Sequence, residues 1–361
     1  MAVEWVIQAD DLTGAADTAI GFAGAGLPTL VLPWRGAVPA TPPEAVVLAF
    51  DTASRDLDAA TAADRAGRVA RWFAGHCGER AWLYKKLDST LRGNAAAELS
   101  AVEHALCAAG RCPPAVVVAP AFPALGRTTV DGRQCWDGEG VDVARLLGDP
   151  QDAEVERVVV DARRTEDLEA LADRLEALPA RPLLVGSGGL AAAHAARRHA
   201  PLRPASRPPE AGSVLVVSGS RTPLADRQAD VLRRRARSLV RVVLEDVQQA
   251  GAAAARGLEA GDDVLLVGPV ASTPDVAGSL GRAAAHALTT AMPRLVIAVG
   301  GDTAHGLCAA LGVEALWAEH EAAPGAPLLR CTLADGRDLR LVMKSGSFGG
   351  DDLLAELVAD A

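Results

Sequence analysis

Short runs of aliphatic and β-branched residues alternate with Ala-rich segments of helical length along almost the whole chain. Val3–Ile7, Ala45–Phe50, Trp82–Tyr84, Ala115–Val118, Val158–Val160 and Pro182–Val185 are short and continuously apolar, the pattern of strands buried on both faces. Gly14–Ala25, Leu57–Ala74, Ala95–Ala109, Thr165–Ala177 and Leu190–Ala200 separate or follow them as predicted helices. This order predicts parallel sheets covered by helices on both sides. It breaks once, at residues 201–212, where four prolines and no periodicity predict a linker. It then restarts with predicted strands at Val214–Val217, Leu239–Leu244, Val264–Val267 and Leu295–Val299, and predicted helices from about Leu224, around Ala252, near Ala283 and over Thr303–Leu311. Two late strands, Pro327–Thr332 and Leu339–Met343, and a terminal helix close the pattern. The expectation is two doubly wound, mostly parallel α/β domains, residues 1–200 and 213–361.

A length of 361 residues suits two domains, and a half-hydrophobic composition can build both cores. The formal net charge of −10 and the lack of a Lys/Arg block argue against nucleic acid or an anionic membrane surface as partner. No apolar run approaches the ~18 residues of a membrane span. The six cysteines show no paired metal-ligand spacing and no disulfide framework, and the start lacks the features of a secretory signal, so a cytoplasmic protein is expected. Among 36 basic residues only Lys85, Lys86 and Lys344 are lysine. A lysine kept in so arginine-rich a chain points to a place that needs a compact ammonium.

In parallel sheets, ligands bind at the carboxyl ends of strands, so chemistry is expected in the loops there. The first, Gln8-Ala-Asp10-Asp11-Leu-Thr-Gly14, sets two carboxylates side by side. Capping of the next helix accounts for one of them, and a base or metal role for the other. The loop from Tyr84 to Asn94 packs Lys86, Asp88, Ser89 and Arg92 into one turn. Arg92 suits a bidentate grip on a carboxylate, and Asp88 suits a hydroxyl or a proton. The Pro-stiffened stretch from Ala119 to Gly132 offers Arg127, Thr128 and Thr129 to an oxyanion, or is a structural loop. Gly186-Ser-Gly-Gly-Leu-Ala191 matches a dinucleotide fingerprint, but the acidic residue expected about 20 positions on would fall in the linker. A tight turn for close helix packing, or for approach to the substrate, explains it better.

In the second half, Ser218-Gly-Ser220-Arg221-Thr222, Gly300-Gly301-Asp302-Thr303 and Lys344-Ser-Gly346 each follow a strand. Glycine-freed N–H groups at helix starts cradle anions, and three such loops with a rare lysine point to a polyphosphate. No phosphate-binding G-x-x-x-x-G-K-[ST] motif is present.

Taken in order, ADDLTGA, YKKLDSTLRGN, APAFPALGRTTVDG, VGSGGLA, SGSRTPLADRQ, VGGDTA and KSGSFGGDDLL resemble the four-carbon acid sugar kinase family. The resemblance implies ATP-dependent phosphorylation of the terminal hydroxyl of threonate, erythronate or 3-oxo-tetronate, in a cleft between a substrate-binding N-terminal domain and a nucleotide-binding C-terminal domain. It implies ATP and Mg²⁺ as cofactors, sugar acid and ATP as small-molecule partners, and leaves homo-oligomerisation open. By position it assigns Asp10, Asp11 and Asp88 to catalysis, with Asp11 favoured as base. Lys86, Ser89, Arg92, Arg127 and Thr128 fall to the acid sugar. Ser218, Ser220, Thr222, Gly300, Gly301, Asp302, Thr303, Lys344 and Gly346 fall to the nucleotide, with Asp302 near the metal. Two departures stand out: Arg221-Thr222 replaces the commoner Cys-Ser, and Arg133–Glu156 is shorter than its usual counterpart. The alternatives are an NAD-linked hydroxyacid dehydrogenase and a non-catalytic sugar-acid or nucleotide sensor.

Overall fold

Every residue of the first strand, β1 (Trp5–Ala9), is buried in the computed structural model, which describes residues 2–148, 155–198, 212–269 and 275–360. The chain divides into two units, Met1–Leu202 and Arg203–Ala361. The predicted linker falls outside the described residues except for Gly212.

In the N-terminal unit β1 is followed by α1 (Leu12–Gly24), β2 (Thr29–Leu32), β3 (Val47–Asp51), α2 (Ala59–His76), β4 (Trp82–Lys86), α3 (Ala95–Ala108) and β5 (Val116–Ala119). A 3-10 turn at Pro123–Leu125 leads into β6 (Thr128–Val130), β7 (Arg133–Trp136) and β8 (Glu139–Asp142), which form a separate antiparallel sheet. Then come α4 (Val143–Leu147), β9 (Arg157–Val159), α5 (Thr165–Glu176), β10 (Leu183–Gly186) and α6 (Gly188–Ala195). The main sheet runs β2-β3-β1-β4-β10-β5-β9, every pair parallel. Helices α1, α5 and α6 pack together, as do α2, α3 and α4, so both faces are covered. From β1 the chain turns towards β2; from β4 it turns the other way, towards β5. The β1–β4 pair is therefore a switch point, where the loops after both strands open side by side.

The C-terminal unit follows the same plan. It contains β11 (Val214–Ser218), α7 (Pro223–Arg235), β12 (Leu239–Val243), α8 (Val247–Glu259), β13 (Asp263–Val267) and α9 (Val276–Leu288). After these come β14 (Leu295–Val299), α10 (Gly301–Ala310), β15 (Leu316–Ala323), β16 (Ala326–Thr332), β17 (Asp338–Lys344) and α11 (Leu353–Asp360). The strand order is β12-β13-β11-β14-β17-β16-β15, parallel as far as β17 and antiparallel beyond it. Here the switch point is the β11–β14 pair. Valine, leucine and isoleucine fill the core, with Val216, Leu265, Ile297 and Val342 fully buried.

Three features differ from the sequence expectation. Strands β2 and β15 and the β6–β8 sheet form in stretches to which no strand was assigned, β6 within the loop read from Ala119 to Gly132; β15 and β6–β8 are polar and lack the continuous apolar signal of the inner strands. Helix α6 starts at Gly188, two residues early. Cys107 and Cys112 are joined by a disulfide between the last turn of α3 and the loop after it, a pairing that the scattered cysteine spacing did not announce.

Helices α9 and α10 approach backbone to backbone. A methyl group at Gly281 would collide with the Gly306 carbonyl, and one at Gly306 would lie 2.5 Å from the Ala277 oxygen. At Gly75, near the end of α2, nothing lies within 4 Å of the same position. Gly306→Ala should therefore destabilise the fold by ~1–3 kcal/mol through overpacking. Gly75→Ala should be neutral or stabilising by up to about 1 kcal/mol. Denaturant melts of the two variants would read this, and equal midpoints would refute the packing argument.

Candidate active site

The loop leaving β1 carries Asp10 and Asp11. Asp11 caps α1, accepting from the Gly14 N–H at 2.9 Å and from the Thr13 hydroxyl. That satisfies one helix-end donor and places the carboxylate at the positive end of the helix dipole. Asp10 lies deeper, 3% exposed. Both acids meet one side chain that the sequence reading missed. Arg55, in the loop after β3, donates through Nε (3.0 Å) and Nη2 (2.8 Å) to Asp10, and through Nη1 (2.9 Å) and Nη2 (2.8 Å) to Asp11. Its Nη2 also lies 3.6 Å from Asp88. Burial alone would depress the Arg55 guanidinium, but the Asp10 and Asp11 charges, with Asp88 behind them, outweigh it and raise its pKa far above the ordinary range. The usable signal was position: Asp51-Thr-Ala-Ser-Arg55 is itself a strand-end loop.

The loop leaving β4 is tight, with Leu91 (φ 60°) and Gly93 (φ 90°) both left-handed. Asp88 gathers most of its donors: the Thr90 N–H (3.0 Å) and hydroxyl (2.6 Å), and Arg92 through Nε (3.0 Å) and Nη2 (2.7 Å). Burial works to raise the Asp88 pKa, yet hydrogen bonds from Arg92 and Thr90 and the charges of Arg55 and Arg92 hold it well below the usual carboxylate range. Arg92 therefore commits its forked edge to Asp88, leaving Nη1.

The neighbouring lysines point to opposite faces of β4. Lys85 is buried against Glu98 at 2.7 Å. Lys86, 5% exposed, donates to the Leu87 carbonyl at 2.7 Å and has no carboxylate within ion-pair distance among the described residues. It sits beside Gly14, where an added methyl group would lie 3.5 Å from the ammonium and against Asp11. Asp10, Asp11, Lys86, Asp88 and Arg92 thus come together. Ser89 is tied to the small sheet, where buried Gln134 accepts from the Thr129 hydroxyl and donates to the Ser89 and Pro120 carbonyls; Arg127 and Thr128 lie at the start of that sheet, and no bond links them to the acids among the described residues. Arg127 donates Nη1 to the Leu125 carbonyl, while its buried Nε has no partner. The Gly186–Gly189 turn is filled by protein. Methyl groups there would strike the Ala119 and Ala121 oxygens and the Phe122 ring, which is the packing role of the two expected and leaves no room for a pyrophosphate.

In the C-terminal unit the three expected loops are tied to one another. The Gly300 N–H donates to the Lys344 carbonyl at 2.8 Å, and the Thr222 hydroxyl to the Gly346 carbonyl at 2.6 Å. Gly346 has to be glycine, because a methyl group would overlap Ser220 Oγ. Gly300 (φ 109°) turns the chain into α10. Beside these loops lies a cavity of about 1030 Å³, lined by Gly219, Ser220, Gly300, Gly301, Asp302 and Thr303. The start of α9, with Asp275 and Gly278, and the side chains of Arg221, Arg282 and His305 also line it, and apart from Arg221 sequence reading had not marked them. The N-termini of α9 and α10 meet at this cavity, which favours an anion. Ser218 ends β11 and is 8% exposed. Lys344 is fully buried, and its ammonium donates to the Ser345 carbonyl with no carboxylate partner among the described residues. Burial lowers its pKa to about 8.

The sugar-binding N-terminal domain family model matches residues 5–153, and the nucleotide-binding C-terminal domain model matches residues 215–354. D-threonate kinases of Cupriavidus necator and Bordetella bronchiseptica are each 35% identical, covering 98% and 96% of this chain and 96% and 95% of their own. A 3-oxo-tetronate kinase of Cupriavidus necator is 28% identical over 96% of this chain and 95% of its own. Among solved structures, a Salmonella typhimurium protein aligns with a TM-score of 0.76 at 21% identity, and a Haemophilus influenzae protein with 0.69 at 22%. Both alignments cover 98% of each chain and support the fold.

Lys344 yields a signed pH prediction. Its folded pKa lies below the ordinary lysine value, so burial disfavours its charge, and an anion binds best to the protonated form. Tripolyphosphate affinity should be highest below pH about 8 and fall as the pH rises through that value. Lys344→Met should bind weakly and lose this dependence. Calorimetric titration of both proteins at several pH values would test it; the same pH slope in the variant would remove Lys344 from the anion site.

Proposed function

This chain belongs to the four-carbon acid sugar kinase family, and on that premise we propose that it transfers the γ-phosphoryl group of ATP to the terminal, C4 hydroxyl of a four-carbon sugar acid, with D-threonate the first candidate. The observation that carries the reading is a buried ammonium without a carboxylate partner among the described residues in each unit, Lys86 at the β1–β4 switch point and Lys344 at the end of β17, beside the β11–β14 switch point. An uncompensated buried cation is costly, and an anionic ligand supplies the missing charge.

In the C-terminal unit, Lys344 and the N–H groups of the Gly300–Gly301 turn would hold the phosphates, with the hydroxyls of Ser218, Ser220, Thr222 and Thr303 beside them. The residues fit magnesium as a nucleotide brings it. Among the described residues no cluster of three or more ligating side chains exists, but Mg²⁺ takes one or two carboxylates and completes its shell with water and phosphate oxygens. Asp302, in the first turn of α10 on the cavity wall, would be one such carboxylate. The bound ion would neutralise charge on the phosphate oxygens.

In the N-terminal unit, Lys86 and Arg127, with Nη1 of Arg92 and the hydroxyls of Ser89 and Thr128, would fix the acid's carboxylate and hydroxyls. Asp11 is the most accessible of the three acids, with a side chain 15% exposed against 4% for Asp10 and 9% for Asp88. It would orient the terminal hydroxyl and take its proton as the oxygen bonds to the γ-phosphorus and the bond to ADP breaks. Asp88, more deeply buried and held well below the usual carboxylate range, is the poorer base.

ADP release should be measured with ATP, Mg²⁺ and a panel of D-threonate, erythronate and 3-oxo-tetronate. D-threonate should support the fastest turnover. Asp11→Asn should cut kcat by ~10²–10⁴-fold, the usual range for losing a general base, with KM for ATP unchanged. Absence of turnover on every four-carbon acid would end the kinase reading for this chain. Near-normal kcat in Asp11→Asn would move the base elsewhere.

A further inference from the structure

The buried face of α7 consists of Ala225, Gln228, Val231 and Leu232, so an amide stands where the helix period calls for an apolar side chain. Gln228 is fully buried. Its Nε2 donates to the Phe348 carbonyl at 3.1 Å and to the Gly350 carbonyl at 2.7 Å. Both partners are acceptors only, which fixes the orientation of the amide. Its Oε1 is buried without a partner among the described residues. Burying an amide with one end unanswered is costly. Packing does not explain the residue, since leucine or methionine would fill the space without that cost. The two donors aimed at the stretch after β17 do explain it.

That stretch, from Lys344 to Gly350, is held through every second carbonyl. The Gly300 N–H reaches the Lys344 carbonyl at 2.8 Å, the Thr222 hydroxyl the Gly346 carbonyl at 2.6 Å, and Gln228 the carbonyls of Phe348 and Gly350. The first two anchors hold the half that carries Lys344 and Gly346. Gln228 serves the other half, where the Phe348 ring also lies against the turn between β15 and β16; a methyl group on Gly325 would strike it. Further along, Arg227 pairs with Asp351 and Arg235 with Asp352, both about half exposed. Exposed ion pairs hold weakly.

We propose that Gln228 is the positioning residue of the nucleotide site. Its two N–H donors fix the second half of the stretch, and so keep the Lys344 ammonium and the backbone around Gly346 in the arrangement that receives phosphate. Without them the Phe348 and Gly350 carbonyls lose their donors, and the glycines at 346, 349 and 350 let the stretch take other conformations. Phosphate binding then has to order it again, which weakens affinity. The proposal rests on the reading of these loops as a nucleotide site.

Gln228→Met keeps the length and bulk of the side chain and removes both donors. Calorimetric titration of the full chain with tripolyphosphate should show affinity about tenfold weaker than wild type, the scale of two lost hydrogen bonds. In turnover assays KM for ATP should rise by a similar factor while KM for the sugar acid stays unchanged. Arg227→Ala, which removes the neighbouring surface pair to Asp351, should stay within about twofold of wild type in both measurements. Wild-type affinity in Gln228→Met, an equal rise in both KM values, or the same loss in Arg227→Ala would each overturn the proposal.

Amide hydrogen exchange reads the loop without turnover. Residues 345–350 should exchange faster in ligand-free Gln228→Met than in wild type, with the inner strands β11, β13 and β14 unchanged. Acceleration spread over those strands would make Gln228 a packing residue and overturn the proposal. If the wild type binds no tripolyphosphate, the nucleotide reading falls, and the exchange difference still decides whether Gln228 holds the loop. Should Gln228→Met fail to fold, Gln228→Glu carries the same measurements, since a carboxyl group offers one donor at most. Weaker tripolyphosphate binding and faster exchange at 345–350 are then expected, and wild-type values refute.

Discussion

Charge carried by a buried strand end has to be answered nearby, and both halves of this chain are organised around that requirement. Taking an ion out of water is expensive unless it is paired, capped or matched by a ligand. In the N-terminal unit the answers are explicit. Asp11 is answered by a helix start and Arg55, Asp10 by Arg55, Asp88 by Thr90 and Arg92, and Lys85 by Glu98. The loops that supply these partners are therefore not free to drift. The left-handed Leu91 and Gly93 are held by the same bonds, because the turn has to curl round Asp88 for its backbone and side-chain donors to converge.

Sheet topology decides where these charges meet. A switch point separates two strands whose connections leave in opposite directions, so the loops after them are not covered by their own crossover helices. In the N-terminal unit this brings Asp10 and Asp11 next to Lys86 and Asp88 although about 75 residues separate them in sequence. In the C-terminal unit it brings the Ser218–Thr222 loop to the Gly300–Thr303 turn, and β17 adds Lys344 alongside. The same layout does opposite electrostatic work. One crevice is rich in fixed, paired charge, which suits a small polar acid that must be oriented. The other is lined by glycine, hydroxyls and helix starts, which suits a long anion held through backbone N–H groups.

The sequence was most legible where burial on both faces leaves an unbroken apolar run: the inner strands β1, β3, β4, β5, β11, β13 and β14 lie within a few residues of their expected places. It was least legible where sheet formation depends on partners distant in the chain. The β6–β8 meander is written in Arg, Thr, Gln and Asp, and only its pairing and the Gln134 bonds to Ser89 and Pro120 reveal it as a scaffold. The candidate site divides in the same way. Asp10, Asp11, Lys86 and Asp88 stood out because dense charge at a strand end is hard to explain as packing. Arg55 did not, because one arginine in an Arg-rich chain carries no local signal and its meaning lies in acids more than 40 residues away. The Gly186 turn shows the converse: a motif with a strong local signal whose glycines make room for the chain at residues 119–122.

The scarcity of lysine can now be read residue by residue. A guanidinium is broad, planar and weakly hydrated, and offsets the cost of its burial by forking across a carboxylate, as Arg55 and Arg92 do. An ammonium is compact and offers donors in three directions. Lys85 uses that shape to bond a carboxylate and a backbone carbonyl in a fully buried space. Lys86 and Lys344 each donate to one neighbouring carbonyl and face no acid among the described residues. A guanidinium in either place would bring more donors than the protein answers and more bulk than a closely packed loop admits, whereas an ammonium leaves directions open to an incoming oxygen. Of the two lysines without an acidic partner among the described residues, Lys86 ends a strand of the β1–β4 switch pair and Lys344 ends β17, the strand beside the β11–β14 pair, so residue choice and topology point to the same two strand-end loop clusters.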